Sequence, residues 1–429
     1  MTAIIGLACL FALLLLGVPI GISMGAVGFV GFAAVVALKP AAAMLGQTTY
    51  ETALNGNLAL LPMFVLMGNL VSQSRLASDM YDASNALLGR FRGGLAMATI
   101  GACAMFSAVC GSSLATAATM SRVAVPAMRR FNYADSLAAG SVAAGGTLGM
   151  LIPPSVVMVL YGIMTQNSIG KLFIAGVLPG LVGVVFYLGA VRWAVWRRPE
   201  SGPAAEPMSA AERWRAFRGA SGVLILLAVV IGGIYSGVFT PSEAAGIGAF
   251  TAFLLALAKR SLTWKITFRV FVETAQTTAT LFLVLIGATL FANFMDVAGL
   301  PSELKAFLLG LGLRPFFLLI AILLVYLVLG CFLESISMIL LTLPIFYPIV
   351  MSLGYDPIWF GVLLIVVTEI SMITPPIGMN VFVLNVVLPD VPLQTIFRGL
   401  VPFICADVLR LSLLIGVPWI ITVLPSMMG

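Results

Sequence analysis

Long apolar stretches recur along the whole chain, and short clusters of polar and charged residues separate them. Many of these stretches approach or exceed the roughly 20 apolar residues that a helix needs to cross the hydrocarbon of a bilayer. The sequence lacks the short alternating segments that build a membrane β-barrel. The pattern therefore predicts an all-α polytopic membrane protein that lies in a lipid bilayer.

Composition supports this prediction, because 61% of the 429 residues are hydrophobic and only 9% are charged. Soluble globular proteins carry about 25% charged residues. The first stretch, MTAIIGLACLFALLLLGVPIG, lacks a basic region and a cleavage site, so we expect a retained helix. The chain contains no histidine, which excludes histidine-based acid–base catalysis and most zinc sites.

The chain contains an internal repeat at an offset of 222 residues. At this offset GTLGMLIPPSVVMVLYG (146–162) aligns without gaps with TEISMITPPIGMNVFVL (368–384), and Pro153–Pro154 coincides with Pro375–Pro376. A shared offset that holds a proline pair and its flanking residues indicates two related halves.

The repeat predicts the domain organisation. The first half is 1–200, the second half is 218–429, and a polar linker at 197–218 joins them. We expect each half to contain scaffold helices, a hairpin, a broken helix and a closing helix. In the first half these segments are predicted at 1–74, 93–128, 134–165 and 170–192, and in the second half at 219–296, 315–352, 356–388 and 395–427.

The distribution of lysine and arginine predicts the orientation in the membrane. With the linker in the cytoplasm, about sixteen basic residues fall inside, and the basic residues outside are Lys39, Lys171, Lys305 and Arg314. The halves are then inverted repeats with both termini outside, and their re-entrant hairpins enter from opposite sides. Each half contributes roughly five crossings, and the pattern leaves open whether 3–37 is one tilted helix or two.

The proline pairs predict broken helices near the middle of the membrane. Proline removes a backbone donor, and unpaired backbone at membrane depth survives only inside protein or beside a cavity. Broken helices at matching positions of inverted halves are typical of a secondary transporter's binding site. Half-helix N-termini suit an anion, and freed carbonyls suit a small cation.

The predicted hairpin tips supply complementary oxygens. Small residues let helices approach closely, and hydroxyls either serve helix packing or ligate Na⁺. For any single hydroxyl these two interpretations are equally good, whereas for the tips as groups we favour a site. The first tip contains Gly111, Ser112, Ser113, Thr116 and Thr119, and the second contains Glu334, Ser335 and Ser337.

A few charged residues lie inside apolar segments, where charge is costly and usually functional. Asp407 and Arg410 are three residues apart, which favours a local structural pair. Arg122 has two open interpretations: it binds a substrate carboxylate bidentately, or it pairs with Glu334 or Glu369. Glu369 aligns with a threonine of the first half beside the broken helix, where it could hold a cation or orient the site.

Four sequence segments together resemble one known family. They are GSSLATAATMSRVAVPAM (111–128), GGTLGMLIPPS (145–155), FTPSEAAGIGA (239–249) and EISMITPPIGMNVFV (369–383). They are similar to the large membrane subunit of tripartite ATP-independent periplasmic (TRAP) transporters, and the resemblance extends over essentially the whole chain.

The resemblance implies an inverted-repeat elevator transporter of the bacterial inner membrane, in which hairpins and broken helices form a mobile transport domain. It implies Na⁺-coupled import of an organic acid, delivered by a soluble periplasmic binding protein. A separate small four-helix membrane subunit enlarges the scaffold. Both termini are then periplasmic and the linker is cytoplasmic. We expect no enzymatic activity and no nucleic-acid partner.

The resemblance also implies the site residues. The Na⁺ ligands carried over by motif are Gly111, Ser113, Thr116, Gly146, Thr147, Glu334, Ser335, Ser337, Thr368, Glu369, Thr374 and Gly378. The substrate-binding residues predicted from the tips and broken helices are Ser112, Ser113, Arg122, Pro153, Pro154 and Asn380.

Other classes of function fit less well. A stand-alone ion-coupled carboxylate carrier, without binding protein or small subunit, is the main alternative. An intramembrane enzyme would need a catalytic pair of side chains, and the sequence offers no convincing one. A channel would need a charged ring or a filter-like repeat, and neither is evident.

Overall fold

The computed structural model describes residues 1–205, 208–310 and 312–428, and these residues form an all-α protein. The helices before the linker are α1 Thr2–Leu15, α2 Ile20–Val35, α3 Leu38–Leu54, α4 Leu60–Ser72, α5 Leu76–Leu88, α6 Gly94–Cys110, α7 Ser113–Arg130, α8 Asp135–Thr147, α9 Val156–Thr165 and α10 Ile169–Arg197. The helices after it are α11 Ala210–Tyr235, α12 Pro241–Ala258, α13 Trp264–Val297, α14 Leu300–Gly310, α15 Pro315–Gly330, α16 Ser335–Ser352, α17 Pro357–Ser371, α18 Met379–Val387, α19 Leu393–Gly416 and α20 Trp419–Ser426. Short 3₁₀ turns occupy Gly56–Ala59, Leu148–Met150 and Pro199–Ser201.

Fewer single helices are long and apolar enough to cross a membrane than the predicted five crossings per half would require. Among the described residues, six helices are long and apolar enough to cross a membrane: α10, α11, α12, α13, α16 and α19. The bent pair of α3 and the segment Gly56–Ser72, at 56°, makes a seventh if it is counted as one span. The number is smaller because breaks divide several predicted spans into pieces of 17 residues or fewer.

The first apolar stretch forms two helices. Gly17 has a φ of +80°, and Pro19 precedes α2. Gly6 on α1 and Gly31 on α2 both lie against the ring of Phe294, so the two helices run antiparallel on α13. The stretch 3–37 is therefore a helical hairpin and not one tilted helix.

The repeat is visible in the helix boundaries. At the offset of 222 residues, α7 coincides with α16 at both ends, and the first residue of α8 coincides with that of α17. The beginnings of α9 and α18 agree to within one residue. Both proline pairs, at Pro153–Pro154 and Pro375–Pro376, contain a cis peptide bond.

The two broken helices, α8–α9 and α17–α18, run antiparallel. Arg129, at the end of α7, contacts both Asp135 at the beginning of α8 (2.7 Å) and Asp390 beyond the end of α18 (2.6 Å). At the other end, Tyr161 of α9 donates a hydrogen bond to the carbonyl of Pro357, the first residue of α17 (2.5 Å). Each broken helix therefore begins where the other ends.

The predicted linker boundaries need correction, because both flanking helices are longer. The helix α10 continues to Arg197, and α11 begins nine residues before 219. Ser209 and Glu212 form a capping box, in which each side chain accepts a hydrogen bond from the other's backbone N–H, and this fixes the helix start at Ala210. Only 198–209 remain between the helices, and residues 206 and 207 lie outside the described part.

The predicted closing helix 395–427 is divided in two. Helix α19 ends at Gly416 and α20 begins at Trp419. Pro418 lacks a backbone donor and restricts Val417, whose φ and ψ are −129° and 74°. A straight span at this position is therefore not formed.

The helices pack in two sets. In one set, α13 packs against α2, α3 and α4, while α11 and α12 pack against α5 and α4. In the other set, the first hairpin (α6–α7) and second hairpin (α15–α16) enclose the broken helices, with α10 and α19 packed outside them. Helix α4 contacts α6 and α13 contacts α16, so the hairpins lie where the two sets meet.

Candidate functional site

The two hairpin tips meet at a cavity of about 220 Å³. Both broken helices contribute to its wall, and α4 and α13 close it from the other set of helices. Its lining comprises Val65, Asn69, Cys110, Gly111, Ser112, Ser113, Leu114, Ala115, Met150, Val156, Val157, Thr277, Leu281, Glu334, Ser335, Ile336 and Met372.

The first tip is a tight turn that begins a helix. Gly111 ends α6 with a φ of +63°, a left-handed conformation that favours glycine. The Ser112 side chain accepts a hydrogen bond from the backbone N–H of Ala115 (3.3 Å) and caps α7. Thr116 donates its hydroxyl to the Ser112 carbonyl (2.8 Å). The tip is uncharged, and the positive end of the α7 dipole lies at the cavity.

At the second tip, a carboxylate takes the place of the serine hydroxyl as the cap of the following helix. Glu334 caps α16: its Oε2 accepts from the backbone N–H of Ser337 (3.1 Å) and from the Ser337 hydroxyl (3.2 Å). Its Oε1 accepts from the Ser335 hydroxyl (3.1 Å). A negative charge at a helix N-terminus is favourable, which holds this carboxylate at the cavity wall.

Ser113 and Asn380 join the first tip to both broken helices. The Ser113 hydroxyl donates to Asn380 Oδ1 (3.0 Å) and accepts from its Nδ2 (2.7 Å). The same amide nitrogen donates to the carbonyl of Ala143 on α8 (3.0 Å). Gly146 packs here, because a Cβ on it would lie 3.2 Å from the Ser113 carbonyl. The arrangement groups hydroxyl, amide and backbone oxygens around one buried point.

A fully buried network joins the two broken helices next to their breaks. Arg410 Nη2 contacts Glu369 Oε2 at 2.6 Å and Asp407 Oδ1 at 2.9 Å. The Tyr187 hydroxyl donates to Asp407 Oδ2 (2.7 Å) and lies 3.2 Å from the Thr147 hydroxyl. Thr147 ends α8 and Glu369 lies near the end of α17. One continuous chain of contacts therefore connects the end of α8 to the end of α17.

The structure brings five of the predicted residues directly to the cavity wall: Gly111, Ser112, Ser113, Glu334 and Ser335. Thr116 and Ser337 do not line the cavity, but their hydroxyls donate hydrogen bonds to the tip residues Ser112 and Glu334. Gly378, with a φ of +60°, precedes α18 and the buried Asn380. Thr368 and Thr374 donate their hydroxyls to carbonyls one turn earlier in α17, at 2.8 and 2.6 Å.

The lining of this cavity does not include three of the predicted substrate residues, Arg122, Pro153 and Pro154. Arg122 is exposed on α7, and among the described residues it takes part in no salt bridge. Its two suggested carboxylate partners interact elsewhere: Glu334 with the second tip and Glu369 with Arg410. Pro153 and Pro154 line a separate apolar cleft against α11, although the Pro154 carbonyl lies beside Gly111 of the first tip, 3.3 Å from where a Cβ on that glycine would be. Contact of the prolines with substrate stays a prediction.

Sequence reasoning missed two cavity residues from the other set of helices. Asn69 on α4 donates its amide to the Thr274 hydroxyl (3.0 Å), and Thr277 lies one turn further along α13. The signal for Asn69 was a single amide inside the apolar run LLPMFVLMGNLVS. Tyr187, the residue that connects Thr147 to Asp407, carries no such signal within apolar α10.

Two hairpins and two antiparallel broken helices around a polar cavity are typical of secondary membrane transporters. Residues 7–420 match the family model described as tripartite ATP-independent periplasmic transporter, DctM component. The chain belongs to this family, which confirms the resemblance seen in the sequence. The family is one of multi-pass membrane transport proteins and not of enzymes.

Several relatives are similar over most of their length. The chain is 37% identical over 386 residues to the C4-dicarboxylate TRAP transporter large permease protein DctM of Pseudomonas aeruginosa, covering 89% of this chain and 88% of the relative. It is 33% identical to the sialic acid TRAP transporter large permease protein SiaM of Vibrio cholerae, covering 87% of each. In fold, it is similar to the Alcanivorax borkumensis YdaH transporter, with a TM-score of 0.59 at 17% identity, and the match covers 88% of this chain and 87% of that one.

Proposed function

We propose that this chain is the membrane subunit that carries an organic acid across the bacterial inner membrane, driven by Na⁺ and by an elevator movement. The observation that carries the proposal is the cavity where both hairpin tips meet. It combines two helix N-termini, which attract an anion, with the carboxylate of Glu334, which attracts a cation. Such a cavity suits a carboxylate only when a cation accompanies it.

The coupling follows from electrostatics. An anionic substrate in this cavity is repelled by Glu334, and charges a few ångströms apart interact strongly where water is scarce. A Na⁺ beside the tip removes that repulsion, so substrate binds the Na⁺-loaded form best. The size of this effect is set by how much more tightly Na⁺ binds the substrate-loaded form than the form without substrate.

The Na⁺ ligands proposed are oxygens at each tip. At the first tip, the Ser113 hydroxyl, Asn380 Oδ1 and the carbonyls near Gly146 converge. At the second tip, the candidates are Glu334, Ser335 and Ser337, with the end of α17 behind them. One Na⁺ that moves down a potential of about 100 mV supplies about 2.3 kcal/mol. Two Na⁺ ions per substrate therefore supply enough free energy to concentrate the substrate inside the cell.

The antiparallel broken helices support inverted repeats with re-entrant hairpins. If the linker is cytoplasmic, the ends of α7, α10 and α18 lie inside with Arg129, Arg197 and Asp390. The second hairpin then enters from the periplasm, and both termini are periplasmic. This orientation agrees with the bias of lysine and arginine.

An elevator movement is supported by the division into two sets of helices. The set of hairpins, broken helices, α10 and α19 would move as a transport domain, because the buried Arg410 network ties its parts together. The set around α13, a helix of 34 residues and about 51 Å, would be the scaffold. Asn69 and Thr277 would contact substrate from the scaffold side.

The family implies a small membrane subunit and a periplasmic binding protein. We propose four helices for the small subunit, which would enlarge the scaffold. Relatives named for C4-dicarboxylate and sialic acid transport support an organic acid as the substrate. A substrate of this kind carries the carboxylate that the tips suit.

The test is uptake of radiolabelled organic acids into proteoliposomes with an imposed Na⁺ gradient. The vesicles contain the chain with its small subunit, the binding protein is added outside, and each component is omitted in turn. We expect uptake only with Na⁺ and all three proteins. Uptake by the chain alone would establish the stand-alone carrier instead, and uptake that ignores Na⁺ would contradict the cation sites.

A further inference from the structure

Another polar cavity, of about 400 Å³, shares no lining residue with the tip cavity and lies between the end of α10 and the beginning of α19. Three arginines line it: Arg197, Arg198 and Arg398. No aspartate or glutamate is among its described lining residues. We call it the basic cavity. Its charge is one-sided, which distinguishes it from the tip cavity with its carboxylate.

The three guanidinium groups are available to a ligand. Within the described part of the chain, none of them forms a salt bridge, whereas nearby Arg129 contacts two aspartates. Arg197 lies over the ring of Trp193, 4.7 Å from its centroid, which orients its charge without neutralising it. Arginine forks match phosphate oxygens in a bidentate geometry. The basic cavity therefore suits a phosphate group.

Two exposed apolar stripes lead into the basic cavity. On α10, Leu181 and Val185 are 55% and 64% exposed, and the same spacing of four residues continues through Gly189 to Trp193. On α19, Val401 and Val408 are 54% and 51% exposed on the face that carries Arg398. Both helices are apolar enough to cross a membrane. A ligand that fills cavity and stripes has a phosphate head and long apolar chains.

We propose that the basic cavity binds the headgroup of an anionic phospholipid, whose acyl chains lie along the stripes of α10 and α19. Basic pockets between membrane helices bind anionic lipid headgroups, and tryptophans are enriched at the membrane–water interface. Trp193 and Trp196 are both exposed beside Arg197 at the end of α10. Free phosphate offers the same charge but leaves the stripes unused. The inference rests on the membrane placement of α10 and α19, and not on the substrate transported.

The experiment compares lipids retained by the purified full-length chain, co-expressed with the proposed small subunit. The complex is reconstituted with equal amounts of phosphatidylglycerol and phosphatidylcholine, extracted in mild detergent and analysed by native mass spectrometry. The test variant is Arg197→Gln/Arg198→Gln/Arg398→Gln. The matched control, Arg213→Gln/Arg215→Gln/Arg218→Gln, removes the same charge from the exposed beginning of α11.

We expect the wild type and the control to retain phosphatidylglycerol in preference to phosphatidylcholine. In the test variant, the ratio of retained phosphatidylglycerol to phosphatidylcholine should be about tenfold lower. Added inorganic phosphate should not displace the lipid. Equal retention by test and control variants would overturn the proposal, as would displacement by phosphate. If the triple variant fails to fold, Arg398→Gln alone serves, and it should still retain less lipid than Arg218→Gln. Because no transport is measured, failure here would leave the proposed transport untouched.

Discussion

The two halves of the chain share a backbone plan, but at two aligned positions near the candidate site the first half has a hydroxyl and the second half a carboxylate. Ser112 of the first half aligns with Glu334 of the second, and Thr147 aligns with Glu369. Each pair has one structural role: Ser112 and Glu334 cap the second helix of a hairpin, and Thr147 and Glu369 contact the same buried network. The second half thus places carboxylates where the first half places hydroxyls.

The difference shows how a repeated fold acquires unequal sites. A hydroxyl satisfies a helix N-terminus but attracts no cation over distance, whereas a carboxylate does both. We therefore expect two cation sites that differ in strength, with the charged one at the second tip.

The largest effect is expected for Arg410→Met. The change leaves Glu369 and Asp407 buried without their positive partner, and breaking a buried pair from one side costs about 3–5 kcal/mol. The measurement is denaturant or thermal unfolding in detergent, with the exposed Arg122→Met as control. Equal stability of the two variants would show that the network does not hold the broken helices together.

The next effect is expected for Glu334→Gln. Glutamine still accepts the hydrogen bonds of Ser337, so folding should be retained, but the charge at the second tip is lost. We expect the Na⁺ concentration for half-maximal uptake to rise about tenfold, which is about 1.4 kcal/mol. Ser112→Ala at the aligned position is the control. A shift as large in the control would remove the distinction between the tips.

A smaller effect is expected for the contact between Ser113 and Asn380. In a double-mutant cycle with Ser113→Ala and Asn380→Ala, we expect a coupling of about 1 kcal/mol in unfolding free energy, because the two side chains share two hydrogen bonds. Ser107→Ala with Asn380→Ala supplies an uncoupled pair. Purely additive effects would mean that the contact does not join the halves.

The smallest effect is expected for Thr147→Val. It removes, at nearly constant volume, the hydroxyl that contacts Tyr187 and the Ala144 carbonyl. Because Tyr187 keeps its bond to Asp407, we expect a loss of only about 0.5 kcal/mol, the low end for a neutral hydrogen bond. Thermal unfolding measures the loss, and Glu369→Gln is the comparison from the second half. A loss for Thr147→Val that exceeds the loss for Glu369→Gln would reverse the proposed order of the two halves.

Local patterns predicted much of this architecture. Turn residues such as Gly111 and the proline pairs mark where helices end, so hairpin and broken-helix positions could be located without the structure. The helix starts of α7 and α16 follow from the aligned Ser113 and Ser335. These features depend on residues adjacent in sequence, where backbone chemistry decides the outcome.

Long-range pairing could not be predicted in the same way. Arg410 and Glu369 lie on different helices, and their contact depends on which helix faces meet in the packed protein. Arg122 is equally basic and equally placed within an apolar segment, yet it faces outward. Asn69 reaches the cavity only because α4 packs against the first hairpin. The spacing of residues along one sequence does not show which helix faces meet, so these contacts could not be predicted.

Equilibrium binding of radioactive Na⁺ to the purified chain shows directly whether each half holds one cation. We expect saturable binding of two Na⁺, with the affinity of one site about tenfold lower in Glu334→Gln and the other site lost in the Ser113→Ala/Asn380→Ala variant. Folding of each variant is checked by thermal unfolding. Absence of saturable Na⁺ binding, or full binding by both folded variants, would contradict the assignment of one cation site to each half.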